Sequence, residues 1–207
     1  MNILVLSPHT DDGEFYCGGS IARFITEGAS VYYVAFSMAP IPEPHKLAPD
    51  IVKIEMRKAT SLLGIKQKNL TLLDYKGREF PAHRQAILDD IFKLKKDLKP
   101  DLVLLPSTYD THQDHQVIVQ EGFRIFKDVS MIGYEAPHNN LNFSANIFIA
   151  LTEKLFQLKL RAIECYHSQM SRPNCSVGFF KNLAQLRGGQ VGVKYAEAFE
   201  GIRWVVK

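Results

Sequence analysis

The chain has 207 residues, 46% of them apolar and 23% charged, with a net charge of +3. That composition is ordinary for a soluble globular protein and long enough to bury a substantial core in one domain spanning residues 1–207. So small a charge argues against a nucleic-acid partner, since the basic segment Lys93–Lys99 reads as the solvated end of a helix.

In chain order, the first element is the short apolar run Ile3–Leu6, which reads as a central strand of an α/β sheet. Ile21, Phe24 and Ile25 share one face of a helix that begins near Gly18 and stops at Gly28. A second strand, Val31–Phe36, leads into a Pro-rich loop over Ala39–Pro44 on the same rim as His9. A second helix carries Ile51, Ile54, Ala59, Leu62 and Leu63 and stops at Gly64, ahead of a strand at Leu70–Leu73. Ile87, Ile91, Phe92, Leu94 and Leu98 build a third helix up to Pro100. The strand Leu102–Leu105 and the helix Gln116–Phe126 follow, then strands at Met131–Tyr134 and Ile147–Ala150, a helix at Leu151–Tyr166 and a short antiparallel tail near Ile202–Val206. Strands and helices alternating on this scale imply parallel pairing with right-handed crossovers. The expected fold is a Rossmann-like, doubly wound, mostly parallel sheet with helices on both faces.

No apolar stretch approaches the roughly 18 residues of a membrane span, so no integral membrane segment is expected. The amino terminus lacks the basic region of a signal peptide. Cys17, Cys165 and Cys175 are odd in number and lack metal-type spacing, and they read as reduced thiols of a cytoplasmic protein. The fingerprint Gly-x-Gly-x-x-Gly is absent after the first strand, which argues against a dinucleotide cofactor.

The chemistry concentrates in two clusters. Ser7-Pro8-His9-Thr10-Asp11-Asp12 follows the first strand, at the end where open α/β sheets place their ligands. His9 and Asp12 can turn toward one point and suit Zn²⁺, Fe²⁺ or Co²⁺, while Asp11 between them is placed to take a proton from water. The structural alternative makes Asp11 or Asp12 the cap of the following helix. His112-Gln113-Asp114-His115 follows the strand Leu102–Leu105, with two imidazoles on one face of a helix start. Asp114 can accept from an imidazole N–H, and the alternative there is plain helix-terminal polarity capped by Asp110 or Thr111. Taken together, the clusters offer His, Asp and His to one divalent metal.

These residues resemble a known family. His9-Thr10-Asp11-Asp12 with Cys17-Gly18-Gly19 is similar to the His-Pro-Asp-Asp…Gly-Gly signature of the PIG-L/LmbE-like N-acetyl deacetylases, and His112–His115 to that family's His-Pro-Asp-His motif. Further matches are Glu55, Ala59, Leu63-Gly64, Ser168-Gln169 and Tyr195-Ala196-Glu197-Ala198-Phe199. The resemblance implies zinc held by His9, Asp12 and His115, Asp11 as general base and later proton donor to the amine, and His112 as oxyanion stabiliser oriented by Asp114. It implies an N-acetylated amino sugar or its conjugate as substrate, and it leaves open a homo-oligomer. Thr10 and Gly13 depart from the family's common Pro and Glu, with Glu14 one place later. Val52 and Asp110 stand where several members have Arg and Tyr, which bears on substrate contacts rather than on the metal.

Arg78, Arg84, Asn139 and Asn140 are candidate sugar contacts on the same rim, Phe15 or Tyr16 a candidate stacking platform, and His167 a candidate rim residue. His45, His83 and His138 carry no assignment. Two other readings stand beside the zinc deacetylase: a metal hydrolase of a different amide or ester, and a non-catalytic binding protein on the same fold.

Overall fold

The computed structural model describes residues 1–38, 50–172 and 175–206. The expected loop at Ala39–Pro44, and His45, lie outside the described residues. In chain order the elements are β1 (Asn2–His9), α1 (Asp12–Thr26), β2 (Ser30–Ser37), α2 (Ile51–Leu62), β3 (Leu70–Leu72), α3 (Arg84–Leu98), β4 (Leu102–Pro106), α4 (Gln113–Ile125), β5 (Ser130–Tyr134), β6 (Ile147–Leu151), α5 (Glu153–Glu164), α6 (Val177–Gln190) and β7 (Tyr195–Arg203). The seven strands form one sheet in the order β3-β2-β1-β4-β5-β7-β6. Four pairings, β1/β2, β1/β4, β2/β3 and β4/β5, are parallel, whereas β7 runs antiparallel to both β5 and β6.

The apolar run of β1 is continuous because both faces of the sheet are covered. Ile3 and Val5 enter the core formed with α1, α2, α5 and α6, while Leu4 and Leu6 enter the one formed with α3 and α4. The order of connection reverses between β1 and β4, so the carboxyl ends of these two strands bound a crevice at a topological switch point. Both sequence clusters sit there. Gly28 and Gly64 end their helices at positive φ, +90° and +94°, as a C-cap glycine permits.

Three sequence expectations shift. The first helix begins at Asp12 rather than near Gly18, with a non-helical residue at Cys17 that kinks it. The antiparallel segment is not a tail near Ile202–Val206 but the nine-residue β7, placed inside the sheet between β5 and β6. The helix α6 has no counterpart in the sequence reading, because its apolar residues do not gather on one face.

The α1 kink has a partner on β7. The buried carboxylate of Glu197 accepts from the backbone N–H of Gly19 (3.0 Å) and Ser20 (2.6 Å) and from the Ser20 hydroxyl (2.5 Å), so it caps the second half of the helix. Lys159 of α5 joins it at 2.5 Å, with both side chains only 3% exposed. Replacing Lys159 by Met leaves that carboxylate without its cation, and we expect a loss of about 3 kcal/mol in urea unfolding. The double variant Lys159→Met/Glu197→Gln recovers part of the loss; equal losses in the two variants would contradict the coupling.

Candidate metal centre

Pro8 sits in β1 without cost because it falls between two ladder partners: Ser7 pairs with Ala35 and His9 with Ser37 of β2, and pairing with β4 stops at Val5. β1 thus carries His9 beyond the end of the β4 ladder and over the crevice. The chain turns at once into α1, whose N-cap residue Asp11 makes no side-chain capping bond. The capping alternative for Asp11 is therefore not realised. Asp12 folds back so that its Oδ2 accepts the His9 backbone N–H at 2.8 Å.

α4 begins three residues before the expected Gln116, and its N-cap is His112. The cap is neither Asp110 nor Thr111: the His112 ring Nδ1 accepts the Asp114 N–H at 3.2 Å. A neutral imidazole that accepts at Nδ1 carries its proton on Nε2. On the following turn His115 points back to β1.

The result is a triangle of donor atoms. His9 Nδ1 lies 3.2 Å from Asp12 Oδ2, His115 Nε2 lies 3.3 Å from the same oxygen, and the two ring nitrogens are 3.3 Å apart. Tetrahedral zinc with bonds of about 2.0–2.1 Å spaces its ligands about 3.3 Å apart, so the edges fit such an ion. The other nitrogen of each imidazole is held by a carboxylate: His9 Nε2 by Asp114 Oδ2 at 3.0 Å and His115 Nδ1 by Asp110 Oδ2 at 2.7 Å. Metal-bound histidines have this outer arrangement, which fixes ring orientation and raises basicity. His9, Asp12 and His115 are all buried and form a group able to hold a divalent metal.

Asp114 therefore orients His9 rather than His112. Its carboxylate is held in turn by the backbone N–H of Arg78 (2.6 Å) and Phe80 (3.3 Å). Arg78 adopts φ +70° to present that N–H, a conformation that non-glycine residues rarely take.

Electrostatics follow from the crowding. Burial disfavours charge on His9, yet the Asp114 and Asp12 carboxylates outweigh it and push its pKa up to about 9. His115 behaves alike: against burial, Asp12 and Asp110 raise it to about 10. Asp12 is buried too, but the charges and hydrogen bonds of His115 and His9 hold it well below the usual carboxylate range. For Asp11, burial first and the Asp12 charge second outweigh the His9 and Arg172 charges and raise it to about 6. His112 is lowered to about 4 by burial and by the positive His115 and His9, and is neutral at pH 7.

All six sequence candidates, His9, Asp11, Asp12, His112, Asp114 and His115, thus meet at one crevice. The rim candidates divide. Arg84 is taken by the buried Glu121 of α4 (2.8 Å), the Asn139 carbonyl accepts from Thr111 N (3.1 Å), and Phe15 packs in the core against Tyr166 and Phe180. Arg78 serves through its backbone, and His167 is exposed. Asn140 bridges to Asp110 through its backbone, and both polar atoms of its buried amide lack a partner. Tyr16 faces the carboxylates, its phenol pushed well up by burial and by Asp12 and Asp11, and its hydroxyl meets His138 Nδ1 at 3.2 Å. The role of Asp110 was missed from sequence; its signal was a carboxylate two before His112 in the same strand-to-helix loop.

A family model described as PIG-L: GlcNAc-PI de-N-acetylase matches residues 4–126. The chain is 29% identical to the uncharacterized deacetylase YaiS of Escherichia coli (strain K12), over 80% of this chain and 90% of that protein. It is 25% identical to the diacetylchitobiose deacetylase of Thermococcus kodakarensis, over 98% of this chain and 82% of that one. A solved structure of GalB, the 4-carboxy-2-hydroxymuconate hydratase of Pseudomonas putida KT2440, superposes with a TM-score of 0.84 at 19% identity, covering 100% of this chain and 98% of that one. That last likeness is one of fold alone, and it shows the same scaffold carrying a different reaction. The family model spans more than half of the chain, a stretch that includes His9, Asp12 and His115: this protein belongs to the PIG-L family.

Proposed function

We propose that this chain is a single-domain, metal-dependent hydrolase that removes the acetyl group from an N-acetylated amino sugar or its conjugate, acting in the cytoplasm. The observation that carries this reading is the near-equilateral triangle of His9 Nδ1, Asp12 Oδ2 and His115 Nε2, flanked by a carboxylate and a neutral imidazole. Three protein donors leave a fourth position open, the pattern of catalytic rather than structural zinc. The sugar class is supported by the diacetylchitobiose deacetylase relative and by the family's own description. The compartment is supported by three cysteines without disulfides, and no helix among the described residues is long and apolar enough to cross a membrane.

Zinc, or Fe²⁺ in its place, held by His9, Asp12 and His115 would acidify water and polarise the acetamido carbonyl. Asp11, next to Asp12 and free of capping duty, accepts the proton of the attacking water and passes it to the nitrogen as the C–N bond breaks. His112 donates its Nε2 proton to the oxygen that gains charge. Asp114 and Asp110 act one step back, holding His9 and His115 in place. Acetate and a free amine leave.

The test is acetate release from N-acetylglucosamine and a panel of its conjugates with zinc-loaded protein. We expect metal-dependent release, lowered roughly 10²–10⁴-fold by Asp11→Asn and by His112→Ala, with zinc still bound in both. Bound zinc without release from any acetamido sugar would sink the substrate class and leave the metal.

A second expectation comes from protonation. His9 and His115 have pKa values above neutrality in the metal-free state, so they carry protons at pH 7 that an entering cation must displace. Zinc binding at pH 7 is therefore expected to release about two protons and to weaken as pH falls. Calorimetry in buffers of different ionisation enthalpy measures the number, and a value near zero would show that the two imidazoles are already neutral before the ion enters.

A further inference from the structure

Four buried polar side chains that the proposed reaction leaves unused, Ser7, Glu14, Tyr33 and Tyr166, converge on the turn that carries His9 and Asp12. The Ser7 hydroxyl donates to the His9 carbonyl (2.6 Å) and accepts the Gly13 N–H (3.0 Å), tying the two ends of the turn together. Tyr33 of β2 brings its hydroxyl 2.9 Å from Ser7 Oγ and donates to the Glu14 carboxyl. Tyr166, just after α5, donates to the Thr10 carbonyl and lies 2.7 Å from the other oxygen of Glu14. The backbone of His9, Thr10 and Gly13 is thus gripped by two hydroxyls, those of Ser7 and Tyr166, while Tyr33 backs Ser7 and Glu14 joins the two phenols.

Gly13 makes the arrangement possible. A Cβ there would stand 2.7 Å from the Tyr33 hydroxyl oxygen and 2.8 Å from its Cζ, so any side chain would displace the ring. The departure from the common Glu at this position has its reason here: the carboxyl sits one place later, and a phenol fills the space beside Gly13. Burying four such groups is costly unless each is bonded, and an apolar filling would stabilise the fold as well. Ser7 and Tyr166 bond directly to the backbone of this one turn, and Tyr33 and Glu14 complete the cluster around them.

We propose that Ser7, Glu14, Tyr33 and Tyr166 are positioning residues for the metal ligands. They pre-set the His9–Asp12 turn so that His9 Nδ1 and Asp12 Oδ2 stand at ligand spacing before an ion enters, and Gly13 is glycine to admit Tyr33. The inference rests on the metal reading given under Proposed function.

The experiment uses full-length metal-free protein and measures Co²⁺ and Zn²⁺ affinity by competition with a chromophoric chelator, the visible spectrum at saturating Co²⁺, and the Tm of the metal-free form. Tyr33→Phe keeps the ring beside Gly13 and removes one hydroxyl; Ser7→Ala removes the hub. Both variants are expected to bind each metal about tenfold more weakly, the size of effect seen when outer partners of ligands are removed, and to shift the Co²⁺ bands. A merely structural cluster would lower Tm while leaving affinity within about threefold and the Co²⁺ spectrum unchanged, and that result overturns the inference. If Ser7→Ala does not fold, Tyr33→Phe decides alone. Wild-type protein that binds neither metal would overturn the metal reading itself, a failure distinct from equal binding by wild type and variants.

Discussion

Two imidazoles and a carboxylate, all buried, bring their donor atoms within 3.2–3.3 Å of one another, and the rest of the molecule answers to that crowding. Without an ion, protons on His9 and His115 compensate Asp12, with Asp114 and Asp110 behind them. Exchanging two protons for one divalent cation leaves the charge of the pocket unchanged. The same crowding explains the contrast between Asp12 and Asp11: neighbours in sequence and equally buried, they titrate far apart because only one of them is hydrogen-bonded by the imidazoles.

The strand that runs against the others has a part in this. β7 contributes Glu197 to the kinked helix that begins at Asp12, and Glu200 to the loop that ends at His112. Glu200 accepts from the Ser107 hydroxyl (2.8 Å), from Thr108 N (2.7 Å) and from the Thr108 hydroxyl, just ahead of Asp110. Three residues apart on one strand, the two glutamates brace the two segments that carry His9, Asp12 and His115. A sheet made only of parallel strands would present strand ends to those segments; the antiparallel insertion presents side chains.

The parallel part of the fold was legible because apolar runs such as Ile3–Leu6 and Leu102–Leu105 stop at polar clusters, and because Gly28 and Gly64 end their helices. The six polar residues of the crevice were legible for the same reason, since they stand directly after buried strands. What escaped depended on contacts between distant segments. The start of α1 at Asp12 is masked by residues that a helix pattern does not select, and its kink answers to Glu197, 180 positions after Cys17. The pairing of Asp114 with His9 rather than with its neighbour His112 spans 105 residues and is decided by the backbone of Arg78 and Phe80. No local pattern encodes such a choice.

The two departures that bear on substrate contacts have structural causes. Val52, where several family members have Arg, lies on α2 and packs into the apolar core. Asp110, where some have Tyr, is fully engaged by the chain itself: one oxygen accepts the His112 N–H at 2.8 Å and the other holds His115. Its carboxylate raises the basicity of His115 more than a phenol could, so the change acts on the His9–Asp12–His115 triangle. The Tyr16–His138 pair faces the carboxylates, and the Asn140 amide, on a residue bridged by its backbone to Asp110, has no partner among the described residues.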